Sequence, residues 1–275
     1  MPLRYKRLGH VILLLLLSTS SSASFARCES NCDNSEVTWQ FDVGLAISYR
    51  AGIVDSLEYE EGQSSLSLLL AGGVYYEDFF LESSPLSQHP FTIGYTLASS
   101  NDYSINLVME SWFSEINPED AVDDSLEGLT VREGSLEVGL EYTRAFTKYD
   151  LRVRLLHDAL SRHKGSIATI ELARPLFFKS TLVIPSIGAT FISSPATQYY
   201  YGVSTAEAKP GRLAYSPNDA VVTSARIYIE RPMSKSWSLV GYGGYAVLSS
   251  AIANSPIVSP RSDTYYGGVG VLWTF

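Results

Sequence analysis

The chain has 275 residues, of which 45% are hydrophobic and 18% are charged, and its formal net charge is −9. This length suits one large β-domain, since barrels commonly exceed the usual domain size as a single unit. The acidic balance argues against nucleic acid as a partner, because phosphate contacts need a basic face. We also expect no cofactor and no metal site.

Residues 1–26 have the three parts of a cleaved secretory signal peptide. Basic residues near the start precede the apolar run 11–17, and the small residues that follow end in Ser24-Phe25-Ala26, a cleavage-type triplet. The apolar run is shorter than the roughly 20 residues that a membrane helix needs. No other segment approaches that length, so a closed barrel is the remaining way to span a membrane.

Residues 27–36 form a short predicted periplasmic extension that contains the two cysteines, Cys28 and Cys32. In an oxidising periplasm these thiols either close a small disulfide loop or stay free. Lipid attachment at Cys28 is disfavoured, because Arg27 stands where that processing requires a small residue.

A period of two is the strongest signal in residues 37–275. From Val37 to Tyr49 every second residue is apolar, and the intervening residues are polar or small, which predicts strands with one lipid-facing side. The pattern recurs and predicts an all-β, closed antiparallel transmembrane barrel. Its twelve candidate strands are 37–50, 64–72, 74–82, 90–98, 103–113, 135–147, 149–160, 165–174, 180–192, 221–231, 236–248 and 264–275.

The lengths of the connections support the same fold. Long and short connections alternate, apart from the 161–164 link, as expected for a barrel with short periplasmic turns and longer external loops. Ten strands remain an alternative, because the pair on either side of a predicted tight turn at Gly72-Gly73 is the least secure. The terminal Phe275 on an alternating strand resembles an outer-membrane assembly signal. We therefore expect the outer membrane of a Gram-negative bacterium.

Charged side chains of both signs fall on the inward positions of the predicted strands. One interpretation is a mutually paired polar plug, since buried charges need partners. The other is a pore lining that selects solutes, although mixed charge forms no single-sign selectivity ring. We favour the plug. The candidate lumen residues are Asp42, Glu137, Glu141, Arg152, Arg154, Arg226 and Glu230.

An enzyme is not expected. Barrel lipases and deacylases resemble one another in placing His and Ser two apart on one strand face, but Ala159 stands at that distance from His157. Ser161 is four residues from His157, a spacing that suits a helix. The acidic stretch 115–133 offers oxygen ligands for a divalent cation, but it lacks the glycine-punctuated spacing of a calcium loop, so a solvated surface loop is favoured. The tyrosines of 199–201 predict either an aromatic girdle at the lipid interface or a patch that binds a ligand or a partner.

Three short segments resemble the MipA/OmpV family of outer-membrane proteins. They are a Tyr-Tyr-Gly-Val segment followed by Glu-Ala, an Asp-x-x-x-x-His-x-Gly segment, and a Ser-Pro-Ile-Val segment before the last strand. The resemblance covers nearly the whole mature chain in order. Its candidate motif residues are Asp158, His163, Gly165, Tyr200, Tyr201, Gly202, Glu207, Ser255 and Pro256.

The resemblance implies a non-enzymatic barrel, with outer-membrane lipid around it. One member of the family looks like a scaffold that bridges a lytic transglycosylase and a bifunctional murein synthase, so a role in murein maintenance is the leading expectation. The alternatives are a small-solute channel and a surface adhesin or antigen. The weakness of the scaffold hypothesis is that every predicted periplasmic turn is short.

Overall fold

A computed structural model describes residues 37–54, 57, 64–84, 89 and 91–274. The predicted signal peptide, Cys28, Cys32 and Phe275 lie outside the described residues, so these predictions stay predictions. Among the residues that the structure describes, no helix is long and apolar enough to cross a membrane.

The described chain is built from antiparallel strands with two short α-helices and one 3₁₀ turn. The helices are α1 (Ser194–Tyr201) and α2 (Ser250–Ala253), and the 3₁₀ turn is Pro118–Asp120. The strands are β1 (Thr38–Arg50), β2 (Ser64–Tyr76), β3 (Phe79–Ser83), β4 (Thr92–Ser99), β5 (Tyr103–Glu110), β6 (Glu137–Ala145), β7 (Asp150–Asp158), β8 (Ser166–Ala173), β9 (Leu176–Phe178), β10 (Thr181–Ile192), β11 (Ala220–Pro232), β12 (Trp237–Leu248) and β13 (Asp263–Thr274).

The sheet closes on itself, because β1 pairs with both β2 and β13 and β10 pairs with β11. The short strands β8 and β9 both pair with β10 and together occupy one position in the barrel wall. The wall therefore has 12 strand positions, as predicted. β8 and β9 are separated by Arg174 and Pro175. Pro175 has no N–H to donate to a ladder, which is the physical reason for the break.

The predicted turn at Gly72-Gly73 is wrong. β2 continues through both glycines to Tyr76, and the chain reverses at Glu77 and Asp78, where Glu77 has a φ of 52°. At Gly72, which has a φ of 111°, a Cβ atom would lie 2.0 Å from a carbonyl oxygen of the neighbouring strand. The glycines serve a close approach between strands rather than a reversal of the chain.

The two faces of the wall differ as the period of two predicts. The outer face carries apolar side chains that are exposed in the isolated chain and would face lipid, including Ile47, Leu66, Leu155, Ile187 and Val269, each more than half exposed. The inner face carries the buried acids and arginines together with glycines and tyrosines. Along the strands, a buried side chain is therefore one that faces the lumen and not the lipid.

The connections sort by length between the two ends of the barrel. At the end where the described chain starts and finishes, the turns are 77–78, 100–102, 146–149, 179–180 and 233–236. At the other end, the connections are 51–63, 84–91, 111–136, 159–165, 193–219 and 249–262. In barrels of this class the short turns are periplasmic, so the long connections belong to the external side.

Candidate functional site: the loop cap and the lumen beneath it

The long connections pack against one another across the external end of the barrel. We call this layer the cap and define it as residues 51–54, 57, 111–136, 159–165, 193–219 and 249–262. Its apolar core joins side chains from different connections, and nearly every one is less than a tenth exposed. They include Leu57, Ile116, Leu126, Leu129, Ala196, Tyr200, Tyr201, Val203, Ile252, Ile257 and Val258.

Asp158, the last residue of β7, fixes the connection that follows it. Its carboxylate accepts hydrogen bonds from the backbone N–H groups of Leu160, His163 and Lys164, at 2.9, 2.7 and 2.8 Å. Charge-assisted bonds of this kind are roughly twice as strong as neutral ones. The predicted Asp158–His163 segment is therefore a tight, carboxylate-centred turn.

His163 links that turn to the barrel wall. Its Nδ1 atom accepts a hydrogen bond from the N–H of Gly165 at 3.0 Å, so the ring proton resides on Nε2. Nε2 lies 3.0 Å from Oε1 of Glu137 and donates to it, and both side chains are fully buried. The other oxygen of Glu137 accepts from the N–H of Trp112 at 3.0 Å. Histidine and glutamate thus join three segments of the chain.

Gly165 is required by the helix that packs on it. A Cβ atom at this position would lie 2.7 Å from Oγ of Ser193 and 2.8 Å from the backbone nitrogen of Ala196, at the start of α1. The N–H of Ser166 also donates to Oγ of Ser193 at 2.7 Å. The motif residues Asp158, His163 and Gly165 therefore dock the start of β8 against α1.

The tyrosines of α1 lie inside the cap. Tyr200 is 1% exposed and stacks on Phe113 with ring centroids 4.0 Å apart. Its hydroxyl donates to the carbonyl oxygen of Glu133 at 2.9 Å, and burial raises the pKa of Tyr200. Tyr201 is 7% exposed. The expectation of a lipid-facing girdle is wrong for these two residues, because the helix turns their side chains into the core.

Glu207 is the polar centre of the cap. It accepts hydrogen bonds from the N–H groups of Thr130 and Ser204, both at 2.9 Å, and from the Ser204 hydroxyl at 2.8 Å. Arg132 lies 2.9 Å away as an ion-pair partner. Burial alone would raise the pKa of this carboxyl, but the donors outweigh it and lower the pKa of Glu207 to about 2. Two distant connections are thereby held together.

Arg212 extends this centre, and sequence reasoning assigned it no role. Its guanidinium, 3% exposed, donates to the carbonyl oxygens of Ser125, Glu127 and Glu207 at 2.7 to 2.8 Å. The stretch 115–133 was expected to be solvated, yet it supplies these acceptors and the buried Leu126 and Leu129. The sequence shows Arg212 only as a cation in a long loop. It does not show which carbonyl oxygens accept hydrogen bonds from it.

The remaining motif residues close the cap against the last connection. Ser255 donates from Oγ to the carbonyl oxygen of Tyr201 at 2.6 Å. Gly202 ends α1, and a Cβ there would lie 2.3 Å from the carbonyl oxygen of Gln198. Pro256 is exposed and lies beside this contact in sequence. The structure thus brings the predicted motif residues, other than Pro256, into buried contacts of the cap.

Beneath the cap, one side of the lumen is lined by ion pairs. We call this side the charged wall and define it as the inward side chains of β3–β8 with Arg226 of β11. Glu141 accepts from Nε of Arg154 at 2.8 Å and from Asn106 at 3.0 Å, and Arg152 lies 3.4 Å away. Arg154 also lies 3.2 Å from Glu110.

Two further features complete the charged wall. Arg226 pairs with Glu171 across the barrel positions of β8 and β11. Glu110 accepts from Thr92 at 2.5 Å and from Nε1 of Trp112 at 3.2 Å. The arginines predicted for the lumen therefore each contact an acid, and sequence reasoning did not include Glu171 among the candidates.

The opposite side of the lumen is built from glycines and aromatic rings. We call it the ring wall and define it as the inward residues of β1, β2, β12 and β13 with Tyr228 and Glu230 of β11. Tyr242 lies over Gly268, its registered partner, where a Cβ would come within 2.5 Å of the ring. Tyr266 lies over Gly244 in the same way, at 2.4 Å. Glycines here provide slots for flat rings.

Two predicted lumen acids lie in the ring wall, and neither forms an ion pair with an arginine that the structure describes. Asp42 is 7% exposed, and its Oδ1 atom has no hydrogen-bond partner. Glu230 accepts from the hydroxyl of Tyr228 at 3.1 Å. Within the described ranges, no group of three or more His, Cys, Asp or Glu side chains could hold a metal ion.

Comparison with known proteins finds outer-membrane proteins that are similar in sequence and a solved barrel that is similar in part of its structure. A relative named MltA-interacting protein from Escherichia coli is 28% identical over 64% of this chain and 71% of its own length. Outer membrane protein Omp26La from Vibrio anguillarum is 23% identical over 92% of this chain and 93% of its own length. The solved structure of Pseudomonas putida OprB has 7% identity and a TM-score of 0.42, covering 88% of this chain and 95% of that one.

The family model described as "MltA-interacting protein MipA" matches residues 43–275, which include all the motif residues of the cap and all the candidate lumen residues except Asp42. This match covers most of the chain, so the chain belongs to the MipA family of outer-membrane β-barrel proteins.

Proposed function

We propose that this protein is a non-enzymatic scaffold of the cell envelope, a capped barrel that anchors a murein-acting partner at the outer membrane. The observation that carries the proposal is the cap, which covers the external end of the barrel with its own apolar core and buried polar centres. Connections that share an apolar core across the end of the barrel obstruct the entrance to the lumen, which favours a structural role over a permanently open pore.

The lumen supports the same conclusion. The arginines of the charged wall contact acids at 2.8 to 3.4 Å or closer, so their charges are neutralised within the wall. A selectivity ring for solutes requires charges of one sign that are free to meet the passing ion. The polar plug favoured by the sequence is therefore the interpretation with more support.

The short-turn end is where a periplasmic partner would bind. Exposed lysines and apolar side chains lie in or directly beside three of its turns. They form what we call the basic rim: Phe146, Lys148, Phe178, Lys179, Met233 and Lys235. The turn at Glu77 and Asp78 is instead acidic. A stable interface needs about 800 Å² from each partner, so the basic rim would form one part of a larger contact surface at this end.

The name of the Escherichia coli relative states an interaction with MltA. By the family resemblance, the partner proposed for this chain is a lytic transglycosylase, with a murein synthase as a second component. An acidic surface on that enzyme would match the basic rim, since complementary charge sets orientation and association rate.

The proposal is tested by co-purification with the lytic transglycosylase and murein synthase of the same bacterium. We expect a variant with Lys148, Lys179 and Lys235 each changed to Glu to lose most of the bound enzyme. The matched control changes Glu77 and Asp78 to Lys, on the opposite side of the same end, and should retain it. Equal capture by all forms, or no capture by the unaltered protein, would contradict the scaffold.

A cation-selective channel is the second candidate, and the ring wall is what favours it. Asp42 and Glu230 are inward acids that form no ion pair with a described arginine or lysine; one buried oxygen of Asp42 has no hydrogen-bond partner, and Glu230 accepts from the Tyr228 hydroxyl. Single-channel recording of the refolded barrel in a planar bilayer separates the two functions. Stable, reproducible steps with cation preference would favour the channel. Silence from a barrel with heat-modifiable gel mobility would favour the scaffold.

A further inference from the structure

An apolar crevice runs along the outer face of the barrel near the external end of β6, β7, β8 and β10. Its volume is about 460 Å³, and its lining includes Leu140, Leu155, His157, Ser166, Ala168 and Phe191. Leu140 and Leu155 are about half exposed, whereas Ala168 is only partly exposed between larger neighbours. The small side chain on β8 thus leaves a depression in a surface that otherwise carries large apolar groups.

A polar pair lies at one end of this crevice. His157 and Ser166 are registered partners on β7 and β8, and Nδ1 of the histidine lies 2.9 Å from Oγ of the serine. Both side chains are exposed on the outer face. A histidine and a serine on a lipid-facing side are costly unless a polar group of the lipid meets them, because hydrocarbon supplies no hydrogen bonds.

The position of the His157–Ser166 pair along the barrel axis indicates which leaflet of the membrane contacts it. His157 precedes the last residue of β7, Ser166 begins β8, and the connection between them belongs to the external end. The exposed Lys164 lies in that connection. A lipid in the crevice would therefore come from the outer leaflet and would have its head group beside a cation.

We propose that this crevice binds one acyl chain of a lipopolysaccharide molecule. The acyl chain packs along Leu140, Leu155 and Phe191 above Ala168. The ester or hydroxyl group at the polar end of the chain hydrogen-bonds to His157 and Ser166, and the phosphate of the lipid A head group meets Lys164. The crevice and its polar pair lie on the outer face, and Lys164 is the one residue of the site that belongs to the cap.

The same pair is not arranged for hydrolysis. A serine nucleophile needs a base that is itself oriented by a third group, usually an acid. Asp158 is adjacent to His157 in the chain, but successive strand residues face opposite sides. The carboxylate of Asp158 accepts backbone N–H groups of the cap instead. The geometry therefore binds a lipid and leaves its ester intact.

Native mass spectrometry tests the proposal on the full barrel, folded in detergent and supplied with purified lipopolysaccharide. We expect one retained molecule per chain. Ala168→Trp fills the crevice and should reduce retention at least tenfold. The matched control is Ala225→Trp, since Ala225 is an exposed alanine on the outer face of β11, outside the crevice. The control should retain lipopolysaccharide like the unaltered protein.

Heat-modifiable gel mobility shows whether the tryptophan variant folds. If it does not, a second variant still tests the site. His157→Leu combined with Ser166→Val preserves an apolar surface and removes both polar groups, and we expect retention to fall about threefold to tenfold. Equal retention by all forms would overturn the site. Preferential retention of phosphatidylethanolamine over lipopolysaccharide in a competition would overturn the assignment of the lipid.

Discussion

The two walls of the lumen are filled by side chains of different chemistry. The charged wall fills the barrel with ion pairs around Glu141 and Arg154, whereas the ring wall fills it with tyrosines laid over Gly244 and Gly268. A buried charge depends on its partner, since removing one member leaves the other uncompensated. A ring in a glycine slot depends first on the space that the glycine leaves. The charged wall should therefore be sensitive to lost charge and the ring wall to added volume.

The largest effect is expected from Arg154→Met in the charged wall. The substitution leaves Glu110 and Glu141 buried without their shared cation and should reduce the free energy of unfolding by about 3–5 kcal/mol. Urea unfolding of the barrel in detergent measures it. Arg144→Met, which removes an exposed pair with Asp102, is the control and should cost less than about 1 kcal/mol. Similar losses for both variants would contradict the comparison.

The next effect is expected from Gly268→Val in the ring wall. The new side chain occupies the slot of Tyr242 and should reduce stability by about 1–3 kcal/mol, the usual cost of overpacking. Adding Tyr242→Ala should restore part of the loss, because the ring that clashes is then absent. A double-mutant cycle measures this coupling. Strictly additive losses would show that the slot is not what determines the cost.

A third test concerns the cap, where Glu207 resembles the acids of the charged wall. Its folded-state pKa of about 2 lies below the ordinary 4.5, so its stabilisation is present above pH 4.5 and is lost as pH falls from 4.5 towards 2. We expect about 1–3 kcal/mol, measured as hydrogen-exchange protection of α1 over that range. Glu207→Gln should lower protection at pH 7 and flatten its acid dependence. An unchanged acid dependence in the variant would assign the transition to another group.

The smallest effect is expected from Asp42→Asn in the ring wall. Asp42 has a buried oxygen without a hydrogen-bond partner, and no arginine pairs with it in the described residues. Removing its charge should therefore change stability by less than about 1 kcal/mol, or increase it slightly, because the cost of burying an unpaired charge disappears. Glu141→Gln, in the charged wall, should be clearly more destabilising in the same urea experiment. The reverse order would remove the distinction between the walls.

The barrel was largely predictable from the sequence because alternation along a strand is local. Residues Val37 to Tyr49 predict β1 and its two faces without knowledge of any neighbour. The exception is Gly72-Gly73, where the same residue type serves turns and close strand contacts. Only the partner strand distinguishes these two uses, and the sequence does not show which strand that is.

The cap was not predictable, because its contacts join residues that are far apart in the chain. The bond from Thr130 to Glu207 spans 77 residues, and that from Ser255 to Tyr201 spans 54. The family resemblance identified Asp158, His163 and Glu207 as residues of interest, but it gave no indication that they are buried hydrogen-bonding centres. The assignment of Tyr200 and Tyr201 failed for the same reason, since α1 folds inward only against the other connections.

The cap also has a consequence for immune recognition. Its outer surface places segments side by side that are separated in the sequence, as where the stretch beginning at Thr130 meets the turn at Ser204. Isolated peptides from either segment do not adopt the conformation that the segment has in the cap. Antibodies raised against such peptides should therefore bind the folded protein poorly. Antisera against the native barrel should therefore recognise whole cells, while antisera against the heat-denatured chain should recognise it mainly on blots.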